Sequence, residues 1–441
     1  MGYLGKQPSA VPLTSDDITD NSVTSAKIID GTIVPADLHN DAKVVKSGSA
    51  PTSPVEGNLW YDTSNDVLKA YDATTSSFQK IFYTVAVLSS IDGSIVNGSA
   101  SNLTLNGSGF MTANLIVTFT PSGGSASTVT VTPSSVSAAT VAVPSAIYGL
   151  SATTVVAIKV TNEDGRESAS VNSSVVSYPT GGTITTHGSY RVHTFLSSAN
   201  FVVSAGFSKA MDTLIVAGGG AGGNWHAGAG GAGGMITHNT TPSAATYSIV
   251  VGAGGAGGGA SVGSNGANSS AFGQTASGGG RGGNYSTTGP LSGGSGGGGN
   301  GWGDNYNTGA SGTSGQGNNG GNGGYNHAGG GGGGKGAIGS NASSATAAGN
   351  GGAGSTNDYR TGSAVYYAGG GGGGTWSGSS AATGGNGGGG NGSYNNNSNA
   401  PTQGSVNTGG GGGGNGGQGD NTSRATETTG GSGIVVIRYL A

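Results

Sequence analysis

The residues best able to do chemistry in this chain are aromatic side chains that stand beside amides, hydroxyls and histidines, in short inserts between runs of glycine. A flat apolar face next to a neutral hydrogen-bonding group is typical of binding surfaces, because aromatic side chains bury a large area at a low cost in conformational entropy. The candidate binding residues are Trp225, His226, Tyr285, Trp302, Tyr306, Tyr325, His327, Tyr359, Tyr366, Tyr367, Trp376 and Tyr394.

A packing role competes with this interpretation. Any one of these aromatic residues would equally well shield the sides of the glycine-rich region or pack between subunits. As a set, they are confined to breaks between glycine runs, and this restriction favours presentation at one or both ends of the region.

The sequence contains stretches that look like catalytic motifs, but they arise from the high glycine content alone. Residues 329–335 match the start of a phosphate-binding loop, but Gly336 stands where such a loop needs the Ser or Thr that holds magnesium. The six histidines (His39, His187, His193, His226, His238 and His327) are scattered without metal-ligand spacing, and there is no cysteine to supply thiolates or disulfides. We therefore expect no enzyme activity, no cofactor and no metal.

Composition also bears on partners and location. Charged residues make up 8% of the chain and the net charge is −4, so no nucleic-acid partner is expected. The N-terminus lacks the apolar stretch of a signal peptide, and nowhere do about 18 apolar residues run together. These features predict a soluble protein without a recognisable export signal.

Glycine accounts for 98 of the 441 residues, mostly in runs between Gly218 and Gly433. One interpretation is disorder, because glycine loses the most backbone freedom on folding and buries no side chain. The other is a bundle of helices with three residues per turn, rising about 3.1 Å per residue and bonded to one another through the backbone. Ordering costs roughly 1–2 kcal/mol per residue against about 0.5–1.5 kcal/mol per net hydrogen bond. Such a bundle therefore needs pinned ends.

The flanks of the glycine-rich region have the pattern of strands that would pin it. Residues 212–217 and 433–439 are apolar runs typical of β-strands. If they pair, the whole glycine-rich region becomes one insertion between neighbouring strands. We predict a β base at residues 183–217, 245–251 and 433–440, with strands that include 190–195, 200–203 and 247–251, and a glycine bundle at 218–432.

Three further segments precede this region. Residues 1–46 carry apolar side chains at every fifth position from Ile18 to Leu38, which predicts an extended attachment segment or a disordered acidic leader. Residues 47–82 predict a β-meander of three short strands, with Trp60 in its core. Residues 83–180 have short apolar runs at the spacing of a β-sandwich.

Several short stretches of the sequence resemble known protein families. The stretch Gly182-Thr-Ile-Thr-Thr-His-Gly-Ser-Tyr-Arg-Val-His-Thr-Phe, the run Leu214-Ile-Val-Ala-Gly-Gly-Gly220 and the terminal Gly-Ser-Gly-Ile-Val-Val-Ile-Arg-Tyr439 resemble the glycine-rich domain of bacteriophage tail-fibre and adhesin proteins. Residues 101–110 and 155–165 resemble the strands of IPT/TIG immunoglobulin-like domains. The pair Leu-Trp-Tyr-Asp62 and Leu-Lys-Ala-Tyr-Asp72 is similar to a small module common in phage tail and fibre proteins.

The resemblance implies a fold and a function. Its fold is an all-β chain whose glycine-rich part is a polyglycine-II bundle with receptor-binding loops at the tip. Its N-terminus, residues 1–82, would attach to other virion proteins, the chain would be a homotrimer, and the tip would bind a host glycan or outer-membrane protein. Location on the tail is expected, with the head as the alternative.

Other functions remain open at the level of sequence. The runner-up is a capsid-attached or purely structural fibre without receptor specificity. A third is a secreted antifreeze or matrix protein, which the missing signal peptide and the phage-like N-terminal modules disfavour. Glycoside hydrolysis by a carboxylate pair such as Asp304 and Asp358 is the least favoured, because depolymerase fibres usually carry a long β-helix that is absent here.

Overall fold

The computed structural model describes residues 44–64, 67–81, 85–258, 262–285, 288–302, 308–324, 327–378, 380–394, 399–417 and 428–441. Regular structure in these residues is almost entirely β, with a single four-residue helix, which confirms the predicted all-β class. No helix among them is long and apolar enough to cross a bilayer. The five-residue repeat from Ile18 to Leu38 lies outside the described residues, as does the rest of the predicted segment 1–46 except residues 44–46.

The first unit is a small sheet with strand order β1-β2-β3-β4. Its strands are β1 (Val44–Ser47), β2 (Leu59–Asp62), β3 (Val67–Asp72) and β4 (Ser77–Lys80). The predicted three-stranded meander is present as β2 to β4, and β1 is added in parallel beside β2. The boundary predicted at residue 46 therefore falls inside a strand. Trp60 is buried and meets the ring of Phe78 edge-on at 5.2 Å, as expected of a core residue.

The second unit consists of two sheets that share one core. Its elements are β5 (Val87–Asp92), β6 (Ile95–Val96), β7 (Asn102–Ser108), β8 (Leu115–Pro121), β9 (Ser127–Val131), β10 (Ala138–Ala142), α1 (Ser145–Tyr148), β11 (Val155–Thr161) and β12 (Val171–Val176). The strand orders are β10-β7-β5 and β6-β12-β11-β8-β9. Alternate residues point inward, so Leu103 and Leu105 of one sheet lie in the same buried cluster as Val117, Phe119 and Ile158 of the other.

The third unit is built around a five-stranded sheet. Its strands are β13 (Thr183–His187), β14 (Tyr190–Phe195), β15 (Ala199–Val203), β16 (Met211–Val216), β17 (Met235–Thr240), β18 (Ala245–Ile249), β19 (Ser269–Ala271), β20 (Gln274–Ala276), β21 (Ser355–Asn357), β22 (Val365–Tyr367) and β23 (Ile434–Leu440). The sheet has the order β13-β14-β23-β16-β17.

The two strands that flank the glycine-rich region pair directly. β16 and β23 are antiparallel neighbours, and Val216 lies opposite Ile434. The chain therefore leaves the sheet after β16, rejoins it at the edge as β17, and at the end of the insertion enters β23 directly beside β16. This confirms that the glycine-rich region is one insertion between adjacent strands.

Both faces of this sheet are covered. Ile215 and Val435 pack with Phe201 of the β15–β18 pair on one face. Leu214 and Val436 pack with Tyr367 of the β21–β22 hairpin on the other. The continuous apolar runs of β16 and β23 follow from burial on both sides.

Glycine segments above the sheet are joined through their backbones. Along residues 218–223 each N–H donates to a carbonyl on another segment, and the acceptor segment repeats every third residue. Gly219 and Gly222, for example, donate to Gly431 and Thr428. Through N–H and C=O groups together, residues 218–223 bond to six segments, at residues 228–231, 255, 264–267, 279–282, 412–415 and 428–431. Almost all backbone N–H and C=O groups of residues 218–223 are therefore used in hydrogen bonds between segments.

Asparagine side chains extend the same spacing. Oδ1 of Asn265 accepts from the Arg281 N–H at 2.9 Å, and Oδ1 of Asn268 accepts from the Gly278 N–H at 2.8 Å. The acceptors are three residues apart in one direction and the donors three apart in the other. Side-chain amides thus replace backbone carbonyls between antiparallel segments.

Close approach of the segments leaves no space for a side chain at most of the glycine positions. A methyl group added at Gly332 would overlap the carbonyl oxygen of Gly230, whereas one added at Gly289 would meet no atom within 4 Å. We expect Gly332→Ala to destabilise the protein by about 1–3 kcal/mol, because the segments must separate to admit the methyl group. The matched Gly289→Ala variant should be neutral or slightly stabilising.

Thermal unfolding of the two purified full-length variants beside the unsubstituted protein tests this prediction. Equal unfolding midpoints for Gly332→Ala and Gly289→Ala would contradict the close backbone packing.

Candidate functional site

The glycine segments end in turns on the side remote from the sheet, and the first of these turns is strained. Trp225 and His226 have φ of 58° and 49°, which side-chain-bearing residues adopt only at a cost. Neighbouring turns hold them in place. The Asn224 N–H donates to Oδ1 of Asn284 at 3.0 Å, and the Gly301 N–H donates to the His226 carbonyl at 2.9 Å. The surrounding turns therefore enforce the conformation of this one.

Aromatic rings from five separate stretches of chain meet at this end. The centroids of Tyr285 and Trp302 are 4.4 Å apart, and the Trp225 ring meets Tyr285 edge-on at 5.5 Å. His226 and His327 lie 4.3 Å apart, and His327 is 5.2 Å from Trp376. We call this set the tip cluster; its members are Trp225, His226, Tyr285, Trp302, His327 and Trp376.

His226 is the centre of the tip cluster and Trp302 is its exposed face. The His226 ring is 1% exposed and lies nearly parallel to Trp302, with an interplanar angle of 16° and a centroid distance of 5.3 Å. Trp302 remains 36% exposed. The buried imidazole therefore packs against one face of the accessible indole, which is an arrangement suited to stacking a ligand on the indole.

Burial keeps both imidazoles of the tip cluster neutral. Desolvation lowers the pKa of His226 to about 4, with a further contribution from the neighbouring His327. The pKa of His327 is lowered by burial as well. At neutral pH the tip cluster thus presents apolar rings and uncharged nitrogens.

Of the other candidate residues, Tyr306 and Tyr325 fall outside the described residues. A third, Tyr394, lies near the tip cluster. Tyr394 is half-buried and follows Ser393, whose carbonyl accepts from the Thr375 N–H at 3.0 Å. Since Thr375 precedes Trp376, Tyr394 lies at the same end of the region.

The three remaining candidates lie at the opposite end, beside the sheet. Tyr367 is 1% exposed and belongs to the core, so it cannot contact a partner in the folded chain, which corrects its assignment as a binding residue. Tyr359 covers the guanidinium of Arg438, 4.0 Å from its ring centroid. Tyr366 is exposed but is remote from the tip cluster. The cause is the β21–β22 hairpin, which packs on the sheet and turns this insert into a structural element.

Arg438 fastens that hairpin to the sheet. Its guanidinium lies over Tyr190 of β14 as well as over Tyr359, at 4.5 and 4.0 Å from the two ring centroids. It also pairs with Asp212 of β16 at 3.3 Å and with Asp358 at 3.4 Å. Asp358, considered above as half of a carboxylate pair, therefore has a structural ion partner.

The pairing of His226 with His327 was missed by sequence reasoning. The two residues are far apart in the chain, so no ligand spacing reveals them. Each one nevertheless ends an aromatic-bearing insert, Asn-Trp-His226 and Tyr-Asn-His327, and that shared position was the available signal.

Fold and site together define a β-rich protein with a long glycine insertion that carries an aromatic tip. A family model for the glycine-rich domain matches residues 194–440, and the chain belongs to that family. No curated protein matches the sequence significantly.

The pKa of His226 predicts a pH dependence of stability. The unfolded state takes up a proton near pH 6.5, whereas the folded state resists protonation until about pH 4. The contribution is complete above pH 6.5 and is lost as the pH falls towards 4, by on the order of 2 kcal/mol. Buried His193, whose pKa is also lowered by burial, acts in the same direction.

Replacing His226 by Phe keeps a ring in place and removes the titrating group. We expect the loss of thermal stability between pH 7 and pH 4 to become shallower in His226→Phe, measured on the full chain by calorimetry. Parallel stability curves for the variant and the unsubstituted protein would contradict a neutral, buried His226.

Proposed function

We propose that the chain is a bacteriophage fibre protein that binds the surface of a bacterial host through the tip cluster. The observation that carries this proposal is the convergence of six rings from five stretches of chain at the end of the glycine segments remote from the sheet. Such convergence concentrates apolar area where the frame is most accessible. Aromatic anchors of this kind dominate the energetics of binding surfaces.

The frame in this proposal is a polyglycine-II bundle. Backbone hydrogen bonds that repeat every third residue support it, because a three-residue turn points successive N–H groups in three directions. The six bonded neighbours of residues 218–223 support hexagonal packing. A frame with almost no internal side chains leaves recognition to the turns.

The preceding units serve as spacer and anchor. We assign the two-sheet unit as an IPT/TIG-like immunoglobulin-like spacer, supported by its two sheets around one core. Tyr178, just after that unit, lies 6.2 Å from Tyr439 of β23, so the spacer joins the glycine-rich domain through packed rings. Residues 1–82 would attach to the particle, and the chain would be a homotrimer on the tail or head of the virion.

Ligand chemistry follows from the tip cluster. Its described members offer ring faces and neutral nitrogens, with Trp302 as the most exposed ring. Sugar rings of a surface glycan, or apolar loops of an outer-membrane protein, would stack on such a surface. Shape and stacking, not charge pairing, would then dominate recognition.

A second candidate function is a structural fibre without receptor specificity. The observation in its favour is the packing role of Tyr359 and Tyr367 beside the sheet, which shows that inserts of the same composition also serve stability. Under this alternative the tip cluster would only close the end of the bundle.

Trp302→Ala separates the two functions. We expect the full-length variant to bind host cells at least about 30-fold more weakly, because truncating a central aromatic anchor commonly costs 2 kcal/mol or more. Tyr366→Ala is the matched control, since Tyr366 is an exposed aromatic residue at the sheet end, 48% accessible. It should bind as the unsubstituted chain does.

The measurement is binding of labelled full-length protein to a panel of bacterial strains, together with its competition against phage adsorption. Thermal unfolding confirms that both variants are folded. Equal binding by Trp302→Ala and Tyr366→Ala would remove the tip cluster from recognition, and absence of binding to every strain would favour the structural fibre.

A further inference from the structure

The tip cluster contains two buried ring nitrogens that its role as a stacking surface does not use. Nδ1 of His226 and Nδ1 of His327 are both shielded from solvent, and neither has a hydrogen-bond partner among the described residues. The two rings are 4.3 Å apart. Leaving a buried polar group unsatisfied is costly, so two such atoms in adjacent rings favour a bound species between or beside them.

A neutral imidazole has one protonated nitrogen and one nitrogen with a free lone pair. Within the ranges that the structure describes, Nδ1 of His226 and Nδ1 of His327 have no hydrogen-bond partner. In the tautomer that is protonated at Nε2, Nδ1 is the basic atom and is free to bind a ligand.

Metal-binding histidines bind through one such nitrogen, while the other nitrogen commonly donates to a carbonyl or carboxylate. The binding nitrogen must be unprotonated. His226 and His327 offer two unpartnered nitrogens in rings whose centroids are 4.3 Å apart.

The backbone of both residues is held in place at a cost. His226 has φ of 49° and His327 has φ of 88°, both in the left-handed region. The His226 carbonyl accepts from Gly301, and the His327 carbonyl accepts from the Trp376 N–H at 3.2 Å. Strained residues that neighbouring turns keep in position are frequent at functional sites, where the strain orients side chains.

We propose that His226 and His327 bind one divalent transition-metal ion of the Zn²⁺ type through their Nδ1 atoms. Imidazole suits Zn²⁺, Ni²⁺ and Cu²⁺, whereas Ca²⁺ and Mg²⁺ require oxygen ligands. No group of three His, Cys, Asp or Glu side chains surrounds an ion site in the described part of the chain, so two protein ligands hold the ion and water completes its coordination.

The ion would tie two distant turns of the tip cluster together. His226 stacks on Trp302, and His327 lies 5.2 Å from Trp376, so a metal bridge fixes the positions of two indoles at once. This role is independent of what the tip cluster binds. It makes the cluster a closed structural unit whose stability depends on the metal.

Titration of the untagged full-length chain with ZnCl₂ in a non-chelating buffer at pH 7.5, followed by calorimetry, tests the proposal. We expect one Zn²⁺ per chain and a rise in the thermal unfolding midpoint that EDTA reverses. His226→Phe and His327→Phe keep a ring and remove the ligand atom, and each should weaken Zn²⁺ binding at least tenfold. His238→Phe, on β17 and away from the tip cluster, is the matched control and should bind Zn²⁺ as the unsubstituted chain does.

The His327→Phe variant keeps the test informative if His226→Phe fails to fold, because His327 is only half-buried and its replacement disturbs the cluster less. Absence of Zn²⁺ binding would overturn the proposal and leave a buried water as the partner of the two nitrogens. Zn²⁺ binding that both variants retain would overturn it as well, since the ion would then lie elsewhere.

Discussion

The pairing of β16 with β23 is the constraint on which the glycine-rich region depends. Residues 217–433 leave and re-enter one sheet at adjacent strands, so both ends of the insertion are fixed a strand spacing apart. The entropy of closing a loop grows only with the logarithm of its length, so a very long insertion costs little more to anchor than a short one. A sheet buried on both faces supplies the anchor, because Leu214, Ile215, Val435 and Val436 lie in two separate cores.

Cohesion above the sheet comes from the backbone. Buried apolar side chains within the central segments are small, such as Ala221, Ala227 and Ala229, and among the described residues these three belong to no apolar core cluster. Each N–H of residues 218–223 instead finds a carbonyl on another segment. Glycine is required because added methyl groups would meet carbonyl oxygens of neighbouring segments, as at Gly332. The residue that makes ordering most costly is also the one that permits the bonds that offset this cost.

Sequence reasoning reached the pairing of the flanking strands, the strands of the base and the burial of Trp60, since apolar runs of strand length carry those signals. It could not distinguish inserts that pack against the sheet from inserts that are exposed at the far end of the glycine segments. The insert of Tyr366 and Tyr367 has the same composition as those of the tip cluster, yet its hairpin lies on the sheet. Which segments bond to which depends on long-range register, and the available sequence signal was the three-residue spacing of asparagines, as in Asn265 and Asn268 or Asn319 and Asn322. The His226–His327 contact likewise needs that register.

A frame held by main-chain atoms has a consequence for how the protein can change over generations. In most domains a loop is coupled to a packed interior, and a new loop sequence risks a cavity or a clash there. Here the turns stand on glycine segments that are joined mainly through backbone groups and asparagine amides, with no packed apolar interior beneath the turns, so substitutions in a turn disturb the bonds between segments little. Sequence change is therefore tolerated more readily in the turns than in the glycine runs, except where turns bond to or touch one another, as with Asn224 and Asn284 or His226 and His327.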